Sequence, residues 1–325
     1  MKNLVKKILT GAFAVSMILA PNVSEAVDVD SNAVVNKYMT EGNKFFYDGD
    51  YQNAIFEYTQ AIEISPNDSK LYFNRGNTYR VMKQYSQAYE DFSKAIELNP
   101  NYVEAYNNRG LVLEAWQDLD GAIADYTKAV EINPNYAKAY YNRGLIYQHR
   151  NELDKAIRDY NRAIENDSND WQAYNNRGNV YKELGSTAQA ILDYNAAINI
   201  VPRSAMVYHN RGLTYLDQGN KEQALIDFEN ATIFDPNYVS AYYNIANIRL
   251  DEGQYDRAIV FFTRTIEINP EYVNAYNNRG LAYMRSGDLD SAIRDFEAAL
   301  NIDPNFGLAR TNLEVALNMK ESAVG

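Results

Sequence analysis

The feature that most constrains this chain is a period of 34 residues, which runs without insertion from Val35 to Phe306 and gives eight units starting at residues 35, 69, 103, 137, 171, 205, 239 and 273. Position 4 is Tyr and position 20 is Ala in all eight units; position 8 is Gly except for Ala246, and position 24 is always Tyr or Phe. Position 27 is Ala except for Thr265, and position 32 is Pro except for Ser168. Length alone, at 325 residues, would suggest two domains. A fixed period argues instead for one array in which each unit buries its apolar face on its neighbours.

Within a unit, apolar residues recur at helical spacing, as in Tyr106, Gly110 and Leu113 and then Ala122, Tyr126 and Ala129. Each unit therefore reads as two amphipathic helices, A and B. Small residues at positions 8 and 20 let them approach closely, while aromatic rings at 4, 11 and 24 fill the space around them. Gly49, Gly185, Gly219, Gly253 and Gly287 stand at position 15, between the helices, where a left-handed turn residue is needed. Every proline except Pro21 lies at position 32, where a residue that cannot continue a helix ends helix B.

This order of aromatic, small, aromatic and proline at a 34-residue period resembles the tetratricopeptide repeat over residues 35–306. The resemblance implies an all-α, right-handed superhelical solenoid of helix-turn-helix units that binds proteins or peptides. Phe306 to Lys320 continues as a helix, with Arg310 where Tyr belongs and Glu314 where Gly belongs. Residues 307–320 are therefore expected to cap the array with polar groups outward, and 321–325 to fray.

Two repeat positions carry charge in register. Position 7, usually Leu in the family, is Arg75, Arg109, Arg143, Arg177, Arg211 and Arg279, and position 23 of the same units is Asp91, Asp125, Asp159, Asp193, Asp227 and Asp295. In the seventh unit both change together, to Ile245 and Phe261, which predicts that the two positions touch and form structural ion pairs in six units. The first unit has Glu41 and Glu57 there and is expected to be the looser end. Position 6 is Asn in seven units: Asn74, Asn108, Asn142, Asn176, Asn210, Asn244 and Asn278.

In this family early helix A positions line the concave face, and the Asn series is similar to the asparagine ladder of the O-linked N-acetylglucosamine transferase repeat arm, which grips a peptide backbone. An amide both donates and accepts, so it suits a peptide group whatever the side chain. The competing reading is that these Asn bond neighbouring helices. Position 5 adds Phe73, Tyr141 and Tyr243 as aromatic anchors for a ligand, with packing inside helix A as their alternative role. Position 5 never holds Lys, so the five-residue set by which related chaperone adaptors clamp a terminal carboxylate does not occur in register.

Catalysis finds little support. The two histidines, His149 and His209, fall in different units at different positions, there is no cysteine, and no Gly-rich phosphate loop follows a strand pattern. No metal site, cofactor or enzyme activity is expected. Trp116 reads as a plug between helices, Trp171 as partly exposed, and Asn166 to Ser168, beside the missing proline, as the softest joint.

Residues 1–26 read as a secretory signal peptide: Lys2, Lys6 and Lys7, an apolar run from Ile8 to Ala20 too short to span a bilayer, then small residues around Ala26. Residues 27–34 read as a polar lead-in. Cleavage removes three lysines and one glutamate and takes the net charge from −12 to −14, which argues against nucleic acid or an anionic membrane as partner. The expectation is an exported protein, periplasmic, cell-envelope or secreted, without stable membrane insertion after cleavage. It would be a scaffold holding a protein or peptide in its concave groove. The alternatives are a non-catalytic accessory of an envelope glycosyltransferase or wall-assembly enzyme, and a structural repeat protein that self-associates, so a homo-oligomer stays open.

Overall fold

A computed structural model describes residues 31–324, in which seventeen α-helices follow one another with no strand. The first four units hold α1 (Ser31–Tyr47) and α2 (Tyr51–Ile64), α3 (Ser69–Val81) and α4 (Tyr85–Leu98), α5 (Val103–Ala115) and α6 (Leu119–Ile132), and α7 (Ala137–His149) and α8 (Leu153–Asn166). The next four hold α9 (Trp171–Glu183) and α10 (Thr187–Ile200), α11 (Ala205–Asp217) and α12 (Lys221–Phe234), α13 (Val239–Asp251) and α14 (Tyr255–Ile268), and α15 (Val273–Ser286) and α16 (Leu289–Ile302); α17 (Gly307–Val324) follows. Each helix packs on its sequence neighbours, so the architecture is an all-α solenoid.

Residues 1–26, read above as a signal peptide, lie outside the described residues. Helix α1 begins inside the lead-in, at Ser31, and α17 runs on through the tail to Val324. Neither Ser31 to Val34 nor Glu321 to Val324 contains a Gly or Pro to stop a helix.

The turns explain the regular period. Position 15 adopts positive φ in all eight units: the five glycines lie between 73° and 92°, and Lys83, Gln117 and Asn151 take the same conformation at 59° to 63°. Position 16 then caps helix B; the side chains of Asp50, Asp118, Asn220 and Asp288 each accept a hydrogen bond from the backbone N–H three residues on. At the other end, Asn99, Asn133 and Asp167 accept from the backbone N–H two residues on, closing the turn around position 32. Ser168 is held in the same turn as the prolines, and Asp170 caps α9 by accepting from the backbone N–H groups of Gln172 and Ala173, so the expected soft joint has the geometry of its neighbours.

The core follows the repeat. The small residues at positions 20 and 27 and the ring at position 24 are fully or almost fully buried in every unit, and the glycine at position 8 lies against that ring. A Cβ added to Gly110 would stand 2.6 Å from Tyr126 Cε1, so the ring of helix B packs directly on the backbone of helix A there, while the seventh unit buries Ala246 at this position. Trp116 does not plug the helices: it is 44% exposed and tilts over Tyr89, because α5 ends at Ala115 and the indole has already left the helix pair. The cap is also less polar than expected. Ala309 and Ala316 are buried on the array, while Leu308, Val315, Leu317 and Met319 are exposed.

Candidate functional site

The charged positions come together in one arrangement repeated six times. In the third unit, Arg109 Nε donates to Asp125 Oδ2 at 2.8 Å and Nη2 to Oδ1 at 2.7 Å, a bidentate pair between α5 and α6. Arg75 with Asp91, Arg143 with Asp159, Arg177 with Asp193, Arg211 with Asp227 and Arg279 with Asp295 repeat it at 2.6–2.8 Å. The aspartates are buried and the guanidiniums half-buried. The hydrogen bond to Asp125 keeps the Arg109 pKa above its ordinary value.

Sequence reasoning missed the third member of this cluster. The Nη1 of each arginine donates backward to position 25 of the preceding unit: Arg75 to Thr59, Arg109 to Ser93, Arg143 to Thr127, Arg177 to Asn161, Arg211 to Asn195 and Arg279 to Thr263. The ion pair thus ties successive units as well as the two helices of one unit. Tyrosine rings flank it, with the Arg143 guanidinium 5.7 Å from the Tyr140 ring centre and 6.0 Å from that of Tyr147. Position 25 is Glu229 ahead of the seventh unit, where Ile245 and Phe261 leave no arginine to meet it; Arg249, one turn along α13, approaches at 3.7 Å instead.

The asparagines of position 6 also reach backward. Asn74 donates to Asn43 Oδ1, Asn108 to Asn77 Oδ1, Asn142 to Asn107 Oδ1 and Asn210 to Asn175 Oδ1. Asn176 donates to the Tyr141 hydroxyl, Asn244 to the His209 ring nitrogen, and Asn278 to both Tyr243 Oη and Asn247 Oδ1. One N–H of each ladder amide is therefore engaged by the preceding unit, as the competing reading has it. In Asn278 both are. Asn74, Asn142 and Asn244 keep an N–H and a carbonyl oxygen engaged by no protein group, whereas the Asn210 side chain also bonds the His209 ring. An eighth rung was missed, because the cap departs from the repeat elsewhere: Asn312 of α17 donates to Asn277 Oδ1 at 2.8 Å.

At position 5 the amides are buried and the aromatic rings half-buried. Asn107, Asn175 and Asn277 are buried there and accept the rungs just described. Phe73 packs on Phe92 and Tyr102, Tyr141 on Tyr160, and Tyr243 on Phe262 and Tyr272, leaving each ring half-buried. His209 belongs to the same row, between Phe228 and Tyr238; burial, with the charge of Lys182, holds its pKa down to about 4, so it is a neutral acceptor for Asn244.

These rows meet in a concave cavity of about 740 Å³ that runs from Phe46 of α1 across α3, α5 and α7 to Trp171 and Gln172 of α9. Its wall carries the amides of Asn77, Asn108 and Asn142 and the rings of Phe73 and Tyr141, together with Lys138 and the carboxylates of Glu104, Asp167 and Asp170. Tyr136 lies on the same wall, with its pKa pushed up to about 12 by burial, so its hydroxyl stays a neutral donor. Asn176, Asn210, Asn244, Asn278 and Tyr243 lie further along the array, outside this cavity. His149 lies in another unit from His209, and among the described residues no three His, Cys, Asp or Glu could together hold a metal ion.

A solenoid of matching helix pairs, with a polar concave wall, defines a helical repeat protein of the kind that binds other proteins. Models of the tetratricopeptide repeat match residues 69–102, 137–170, 205–238 and 273–306. Related repeat models match 42–82, 117–149, 178–219 and 246–287, and 92–124, 159–191 and 228–260, so that together they tile residues 42–306. The chain belongs to the tetratricopeptide repeat family. No curated protein matches it. Among solved structures, a tetratricopeptide repeat protein from Parabacteroides merdae is 18% identical with a TM-score of 0.55, over 77% of this chain and 99% of that one. PilF of Pseudomonas aeruginosa is 21% identical with a TM-score of 0.56, over 64% and 95%. YrrB, described as a TPR protein with an unusual peptide-binding site, is 26% identical with a TM-score of 0.49, over 57% and 96%. The first two share the fold.

Proposed function

We propose that this chain is a non-catalytic scaffold that binds an extended protein or peptide segment on its concave face, seated in the cavity between α1 and α9. The observation that carries this reading is the wall itself, where Asn142 offers an N–H and a carbonyl oxygen beside the Tyr141 ring. Peptide groups present the complementary donor and acceptor at every residue. Each such bond contributes roughly 0.5–1.5 kcal/mol net, so several are needed to offset the ordering of a segment.

The rungs are structural, so the test uses residues that are not. Lys138 and Gln172 line the cavity and keep their side chains open to solvent. A segment selected from a random 15-residue peptide library on the wild-type chain should bind Lys138→Trp/Gln172→Trp at least tenfold more weakly, with unchanged helical circular dichroism. Equal affinity would remove the site from the groove.

The charged start, apolar run and small residues of positions 1–26 support export of the chain, with the mature protein beginning near Val27. N-terminal sequencing of the chain recovered from an exporting bacterium tests this; an intact Met1 would contradict it.

A second reading, self-association, has one observation of its own. Position 22 of the fifth, sixth and seventh units puts Leu192, Ile226 and Val260 in a row on successive helices B, 67%, 45% and 64% exposed, where the neighbouring units have Arg158 and Arg294. Sedimentation velocity across a concentration series, repeated with Ile226→Asp, separates this from groove binding.

A further inference from the structure

Among the described residues, every half-buried arginine but one has a carboxylate. The six of position 7 hold their aspartates, Arg150 holds Asp120, Arg249 holds Glu252 and Glu229, and Arg264 holds Glu267. The exception is Arg80, in the last turn of α3. Its Nε is buried without a hydrogen-bond partner, it makes no salt bridge, and its side chain lines the concave cavity together with Phe73 and Leu111. Burial lowers its pKa, and the groups that act against that lowering are the Tyr85 and Tyr126 hydroxyls rather than an acid.

A desolvated cation without a counter-charge is unfavourable, and nothing in the repeat requires one at this place. Position 12 is occupied by Phe46, Glu114, Gln148, Lys182, Leu216, Leu250 and Met284 in the other units, so the fold accepts almost any side chain there. An arginine that the array does not need opens on a cavity whose lining includes amides, rings, Lys138 and the carboxylates of Glu104, Asp167 and Asp170; none of those carboxylates forms a salt bridge with it, so it is placed to meet an anion that arrives with a ligand. A planar guanidinium matches a carboxylate with two parallel hydrogen bonds.

We propose that Arg80 is the specificity-determining cation of the groove, and that it receives a carboxylate of the bound segment, either an Asp or Glu side chain or the C-terminal group. This rests on the groove reading above and adds to it the chemistry and register of the segment. The Asn rungs, repeated in seven units, fix no register along the array. One cation near its N-terminal end does.

The test uses the full chain and the peptides selected on it from random libraries displayed with free and with blocked C-termini. Synthetic copies of the best binder, with its acidic residues changed singly to Asn or Gln and its terminus as acid or amide, are titrated against wild type and Arg80→Gln. Gln148 already occupies the equivalent position in the fourth unit, so this variant is expected to fold and to melt no lower than wild type. The expected result is a loss of about tenfold or more for one carboxylate-removing change on wild type, and no further loss for the same change on Arg80→Gln. Which change does it, Asp or Glu against terminus, identifies the source.

A carboxylate-removing change that costs both proteins equally overturns the proposal, as does a selected set that binds the groove with no fixed acid. A drop in melting temperature of Arg80→Gln, with ligand affinity intact, also overturns it by making Arg80 a packing residue. These outcomes leave groove binding standing, whereas selected peptides indifferent to Lys138→Trp/Gln172→Trp defeat both readings.

Discussion

At the scale of single residues, the repeat tolerates exceptions whose cost is measurable. Gln117 holds the left-handed turn with φ of 63°, a conformation that five sister units assign to glycine. A non-glycine residue there costs roughly 1–2 kcal/mol. Gln117→Gly should recover about 1 kcal/mol, read as a raised urea midpoint, and Asn151→Gly should recover less, since Asn visits this region readily. A midpoint unchanged or lowered by Gln117→Gly would mean the turn is unstrained.

His209 gives a prediction in pH. Its pKa lies near 4 in the fold against 6.5 for the free side chain, because burial and Lys182 oppose its charge. Between those values the unfolded chain holds the extra proton, so the contribution of His209 to stability falls as the pH is lowered from about 6.5 to 4, by on the order of 3 kcal/mol in all. His209→Asn restores the residue of position 5 in three other units and does not titrate. Its melting temperature should therefore fall less than that of wild type over this interval; parallel curves would contradict the assignment.

At the scale of helices, the arginine cluster is the chief polar tie between elements. Removing one partner strands a buried charge, so Arg109→Ala and Asp125→Ala should each cost roughly 2–4 kcal/mol, and the double variant clearly less than their sum. Additive losses would show that the pair does not couple.

Half of this cluster is legible in the sequence. Because Ile245 and Phe261 replace both charges at once, positions 7 and 23 can be matched from the residues alone. The backward contact cannot, since Thr59, Ser93, Thr127, Asn161 and Asn195 share only a polar oxygen and look like ordinary surface residues of helix B. The ladder is legible as a row but not in its bonding. An amide satisfies a neighbouring Asn, a Tyr hydroxyl or a ligand equally well, so only the packed helices show that one N–H of each rung is already taken. Trp116 misleads because a large aromatic side chain suggests a core, while the helix ends one residue before it.

At the scale of the whole molecule, period and composition dictate the solenoid, and the solenoid puts its variable polar residues on one curved wall. Regularity also limits what sequence can say: the same positions recur eight times, and only three-dimensional placement shows that the cavity lies over the first five units and that Arg80 opens into it. The central claim, that this wall is the binding surface, is tested most directly by site-specific photo-crosslinking. A benzophenone side chain is placed at Gln172 in the groove or at Leu192 in the exposed row on helices B, and irradiated with a bound selected peptide. Adducts are expected from position 172, and none above background from position 192. Adducts from 192 alone would move the binding surface to the exposed face of helices B and contradict the claim.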